Sequence, residues 1–117
     1  MINTIKKPYS DIILKKRILK IKTEMRKIIT SLCKEKFWID WYGAYEINPE
    51  NLVYWICVES DNQRDLLKSN IELQKELKDL LVKQNYPYDA IKHIKINIES
   101  QETVDRESEG SWYYHFK

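Results

Sequence analysis

The chain has 117 residues, 43% of them apolar and 32% charged, with a net charge of +2 at pH 7; this length bounds it to a single globular domain spanning 1–117. Area scaling for 14.2 kDa leaves about 6,800 Å² exposed out of roughly 20,600 Å² for the unfolded chain, so a full core forms without disulfide or metal staples. The near-neutral balance hides a division that speaks to partners rather than fold: residues 1–36 carry a net +8 and residues 37–117 a net −6.

No apolar run reaches the 18 residues of a membrane span. The N-terminus lacks the apolar stretch of a secretion signal, because Ile12-Ile13-Leu14 is followed at once by Lys15-Lys16-Arg17. With no CxxC and only Cys33 and Cys57, the expectation is two reduced, unlinked thiols in a cytoplasmic protein. No metal, nucleotide or catalytic motif is present, so no cofactor is expected.

In chain order, residues 1–9 read as a polar, flexible lead-in. Ser10 or Asp11 then caps a helix whose stripe is Leu14, Ile18, Ile21, Met25, Ile28 and Leu32, at alternating spacings of four and three. Residues 37–47 switch to strand spacing, with Ile39, Trp41, Gly43, Tyr45 and Ile47 on one face. Asn48-Pro49-Glu50-Asn51 is a turn, and Leu52, Tyr54, Ile56 and Val58 continue as a second strand. A four-residue loop pairs Ile47 with Leu52, Tyr45 with Tyr54, Gly43 with Ile56 and Trp41 with Val58, which gathers both apolar sets on one face.

Ser60 to Gln63 is a capping box that opens a second helix, with Leu66, Leu67, Ile71, Leu73, Leu77, Leu80 and Leu81, ending near Asn85 before Pro87. Residues 91–99 alternate again, with Ile94, Ile96 and Ile98 inward. Residues 100–111 form an acidic loop or short helical turn ending at Gly110. Ser111–Lys117 reads as a last strand, with Trp112, Tyr114 and Phe116 on one face and Tyr113 and His115 on the other. The order α-β-β-α-β-β predicts an α+β two-layer sandwich, two helices on one face of a mainly antiparallel four-stranded sheet.

In that arrangement the outer sheet face collects Trp38, Asp40, Tyr42, Val53, Trp55 and Glu59, then His93, Lys95, Asn97, Glu99, Tyr113 and His115. A half-apolar aromatic face with charges between its rings suits a binding surface, for another protein or for a second copy of the chain. Histidine beside Asp40, Glu59 or Glu99 raises acid–base chemistry or a metal, but the spacing is that of no ligand motif, so neither is expected. Glu99, Glu102, Asp105, Glu107 and Glu109 make the 99–109 stretch a docking site for a basic partner. Trp38, Tyr42 and Trp55 are its candidate aromatic anchors. The basic first helix, with Lys15, Lys16, Arg17, Lys20, Lys22, Arg26 and Lys27, raises the alternative of a nucleic-acid-binding module.

Ser100-Gln101-Glu102-Thr103-Val104-Asp105-Arg106, then Gly110-Ser111-Trp112-Tyr113-Tyr114, resembles the ending of a family of small bacterial proteins. Such standalone α+β proteins resemble in turn the immunity proteins of bacterial toxin systems. The resemblance implies a non-enzymatic protein that binds and blocks a toxin. It assigns no residue roles.

Overall fold

The computed structural model describes residues 10–116. The predicted lead-in 1–9 and the final Lys117 lie outside them. Helix α1 (Asp11–Leu32) begins where Ser10 accepts a hydrogen bond from the Ile13 amide at 3.1 Å, satisfying a free donor of the first turn. Its buried stripe is Leu14, Ile18, Ile21, Met25 and Ile29. The expected Ile28 is only half-buried and Leu32 is exposed, because a 3.6-residue period drifts across a 4-3-4-3 pattern over six turns.

Strands β1 (Phe37–Tyr42) and β2 (Val53–Val58) pair antiparallel, and β3 (Lys95–Ser100) pairs parallel with β2. Among the described residues the sheet is three-stranded in the order β1-β2-β3. Between β2 and β3 run α2 (Asp61–Ser69), α3 (Ile71–Lys83) and α4 (Tyr88–Ile91). After β3 come α5 (Gln101–Ser108) and α6 (Trp112–His115). A 3₁₀ turn at Pro49–Asn51 completes the order.

The α+β class holds, but the four-stranded, mainly antiparallel sheet does not. Ser111–Lys117 forms no strand: Glu109 and Gly110 turn the chain through positive φ (52° and 81°), and Ser111 caps α6 by accepting from the Tyr114 amide. Trp112 and Phe116 share a helical i, i+4 face as readily as they share a strand face, and the helix adds His115 at i+3. Over so short a run the period does not decide between the two. The sheet is mixed because the helical segment after β2 carries the chain back to start β3 in the same direction.

The expected single helix over 61–85 is two. Asn70 ends α2 and caps α3, its side chain accepting from the Leu73 amide at 3.0 Å. The β1–β2 register is displaced by four residues from the expected one: Trp41 pairs with Tyr54, Ile39 with Ile56 and Phe37 with Val58. An even displacement preserves both faces, so Ile39, Tyr54, Ile56 and Val58 are buried as expected. Ile47, expected inward, is 79% exposed in the longer connection.

The core joins the buried stripes of α1 and α3 to the inner sheet face, with Leu73, Leu77 and Leu81 against Tyr54, Ile56 and Ile98. The Tyr54 hydroxyl donates to the Ile18 carbonyl at 2.6 Å, fastening α1 to the sheet, and burial raises that phenol's pKa well above its ordinary value. Cys33 and Cys57 are free thiols, and burial pushes Cys57 up to about 12. No described helix is long and apolar enough to cross a membrane.

Gly43 has φ +116°, and a Cβ there would lie 2.0 Å from the Asn51 carbonyl oxygen. At Gly110, φ +81°, a Cβ would meet only the flexible Asp105 carboxylate, at 3.2 Å. Both glycines occupy backbone that costs a side chain about 1–3 kcal/mol, and Gly43 adds a backbone collision. Urea denaturation should therefore show Gly43→Ala losing clearly more stability than Gly110→Ala. Equal losses would contradict the closure of the 43–52 connection.

Candidate functional site: the α5–α6 face

β2 and β3 run parallel, so their carboxyl ends lie side by side and each leads directly into a helix. Ser60 caps α2 and Ser100 caps α5, accepting from the Gln63 and Thr103 amides at 3.1 Å each. Two further carboxylates cover the start of α2. Glu35 accepts from the Ser60 and Glu59 amides at 2.7 and 3.0 Å, and Glu102 accepts from the Asp61 amide at 2.7 Å. Negative charge is favoured there by the helix dipole and the free N–H groups.

Between the two helices lies a dense polar network. Asp61 accepts from the Ser100 hydroxyl and, at 2.8 Å, from the Thr103 hydroxyl, and it pairs with Arg106 at 2.7 Å and Arg64 at 3.3 Å. These hydrogen bonds, from Ser100, Arg106 and Thr103 in turn, hold its carboxyl far below the ordinary value. Arg64 also reaches Glu99 at 3.1 Å. Burial acts against ionised Glu99, but hydrogen bonds from His115, the Ser100 amide and Arg64 outweigh it, so its pKa lies below the ordinary value.

Glu99 is also where α6 is held. His115 Nε2 lies 2.9 Å from Glu99 Oε2, and His115 Nδ1 lies 3.0 Å from the Ser108 hydroxyl. This chain has the connectivity of a serine–histidine–carboxylate relay. Its electrostatics oppose that chemistry: Ser108 is in the last turn of α5, where the negative helix end and Glu107 and Glu109 disfavour an alkoxide or oxyanion. The contact acts instead as a clasp between α5, α6 and β3.

α6 lies over the outer face of the sheet. Trp112 meets Trp38 edge to face at 5.3 Å and donates its indole N–H to Gln101 at 2.7 Å. Phe116 packs on Trp55 at 4.8 Å and on Tyr42 at 5.4 Å, and the Trp55 indole donates to the Tyr42 hydroxyl at 2.7 Å. Of the candidate anchors, Trp38 and Trp55 are thus half-buried beneath α6, and Tyr42 remains 39% exposed.

The five acidic candidates divide in the same way. Glu99 sits inside the network, and Glu102 engages the start of α2 from an exposed position. Asp105, Glu107 and Glu109 are exposed on or just beyond α5, Asp105 accepting from Gln101 at 2.9 Å. Glu107, Ser108, Glu109 and Tyr114 line a shallow cleft of about 380 Å³. Beside it Tyr113 and Tyr114 stand 67% and 66% exposed, their rings 5.6 Å apart.

Sequence pattern assigns no role to Arg64, Asp61 or Arg106. One signal was available: with sixteen lysines and only four arginines, an arginine marks a place where a planar fork of donors is needed. His93, the other histidine, is half-exposed, 3.6 Å from Glu50. A separate groove of about 640 Å³ is lined by residues including Pro49, Asn85, Tyr88 and, from the basic set of the first helix, Arg17, which donates to the Asn85 carbonyl at 2.8 Å; none of the acidic or aromatic candidates lines it. Among the described residues, no three of His, Cys, Asp and Glu are grouped to hold a metal ion. Comparison with known proteins finds no matching family profile, curated protein or solved structure.

Asp61 and Glu99 both have lowered pKa values. Their contribution to stability is full above the unfolded-state values, 3.8 for Asp61 and 4.5 for Glu99, and is lost as pH falls through the lower folded-state values. Glu99→Gln should be less stable than wild type at neutral pH, with the gap closing below about pH 4. Thermal melts at a series of pH values measure it. A gap that stays constant with pH would contradict an ionised Glu99 clasp.

Proposed function

We propose that the protein is a non-enzymatic binding protein of the cytoplasm that engages a basic protein through the exposed side of α5 and α6, in the manner of an immunity protein blocking a bacterial toxin. The observation that carries this reading is the juxtaposition of exposed Asp105, Glu107 and Glu109 with exposed Tyr113 and Tyr114 on helices pinned to the sheet. The carboxylates steer a cationic partner, since opposite potentials raise the rate of encounter. The tyrosines, with Tyr42 beside Phe116, offer rigid amphipathic area of the kind that dominates binding energy. Trp38 and Trp55 support this surface from below.

The segment that resembles the ending of small bacterial proteins is the one that builds this surface. Ser100 caps α5, Gln101 holds Trp112, Glu102 closes the start of α2, Arg106 pairs with Asp61, and Gly110 turns the chain. The toxin-immunity reading rests on that resemblance together with the acidic, tyrosine-rich surface.

Affinity capture from the source organism, followed by binding kinetics with the captured protein, tests the reading. Charge reversal at Glu107 and Glu109 should slow association and weaken its salt dependence. Tyr114→Ala should speed dissociation, by about 2 kcal/mol or more if the ring is an anchor. A partner that binds both variants as tightly as wild type refutes the surface.

A further inference from the structure

The outward face of α1 is a second charged surface, of opposite sign. In helical projection, at about 100° per residue, Ile12, Leu19, Thr23 and Thr30 form a crest opposite the buried stripe. Lys15, Lys22 and Arg26 run along one side of that crest, and Lys16, Lys20 and Lys27 along the other. Lys22 is half-buried and the other five are exposed. Glu24 bridges Lys20 and Lys27, at 3.0 and 3.4 Å. Lys15, Lys16, Lys22 and Arg26 have no ion pair among the described residues.

Two rows of cations flanking a ridge fit the groove of a nucleic-acid duplex, where a phosphate strand borders each side. An α-helix is about 10–12 Å across with its side chains, and the major groove of B-form DNA is about 12 Å wide. The major groove of an RNA duplex is too narrow to admit a helix. The crest holds nothing suited to reading bases: Ile12 and Leu19 are apolar, and the Thr23 and Thr30 hydroxyls donate to the Leu19 and Arg26 carbonyls at 3.1 and 2.7 Å. An anionic membrane would need a broad apolar face, and here two exposed apolar residues lie on a crest completed by threonines.

We propose that the outward face of α1 docks the phosphate backbone of duplex DNA without sequence preference. The four cations with no ion pair among the described residues correspond to about four displaced counterions, which sets the salt dependence at a slope of about −3.6 in log affinity against log salt. The carboxylates of α5 take no part, so this surface is independent of the protein-binding one.

The test is fluorescence anisotropy of the full chain with a labelled mixed-sequence DNA duplex of about 20 base pairs, two helical turns. Affinity should fall about a hundredfold between roughly 50 and 200 mM salt and be the same for a second, unrelated sequence. The Lys15→Gln, Lys16→Gln, Arg26→Gln triple variant should bind at least about tenfold more weakly, with the slope reduced by about 3. Glu107→Gln with Glu109→Gln should leave duplex binding intact. If circular dichroism shows the triple variant unfolded, Lys16→Gln and Arg26→Gln are read singly, each reducing the slope by about 1. No binding at the lower salt, variants that bind like wild type, or binding to phosphatidylserine vesicles but not to the duplex would each overturn the proposal.

Discussion

The carboxyl ends of β2 and β3 impose the constraint on which the outer half of the molecule depends. Parallel pairing places Ser60-Asp61 beside Glu99-Ser100, so two helix starts and four carboxylates, Glu35, Asp61, Glu99 and Glu102, meet in one small volume. Such a concentration of negative charge is tolerable only if each carboxylate is met by donors. Backbone amides of the helix starts, the Ser100 and Thr103 hydroxyls, and the Arg64 and Arg106 guanidiniums supply them. Among the described residues, no buried side-chain nitrogen or oxygen lacks a hydrogen-bond partner.

That network positions the outer layer. Arg106 and Glu102 tie α5 to α2, and Glu99 holds His115 of α6. With α6 in place, Trp112 and Phe116 pack on Trp38, Trp55 and Tyr42, leaving the two tryptophans half-buried and Tyr42 exposed. What then faces outward is the tyrosine pair with the acidic edge of α5. The binding surface is thus a product of the closure and not the bare sheet.

Much of this was legible in the residues, and the limits have physical causes. Caps at Ser10 and Ser60, the inward faces of Ile39, Tyr54, Ile56 and Ile98, and the long first helix follow from periodicity and from side chains able to satisfy free amides. The split at Asn70 is hidden by leucine spacing that runs across it, although Asn is among the residues that cap a helix. The direction of β3 is invisible to local pattern, since alternation is the same in parallel and antiparallel strands. At Ser111–Phe116 the aromatics fit both periods, and burial against Trp38 and Trp55 decides for helix. Asp105, Glu107 and Glu109 are as exposed as a docking surface requires, but no pattern in the chain distinguishes them from Glu99, which the fold turns inward.

Asp61, through Ser100, Thr103 and Arg106, holds the α5–α6 layer on the sheet. Amide hydrogen exchange of Asp61→Asn against wild type at neutral pH tests it most directly, because protection reports local opening segment by segment. Exchange should be faster across residues 101–116 and at the start of α2, with β1, the body of β2 and α1 unchanged. Uniform acceleration through the whole chain, or unchanged protection over 101–116, would contradict it.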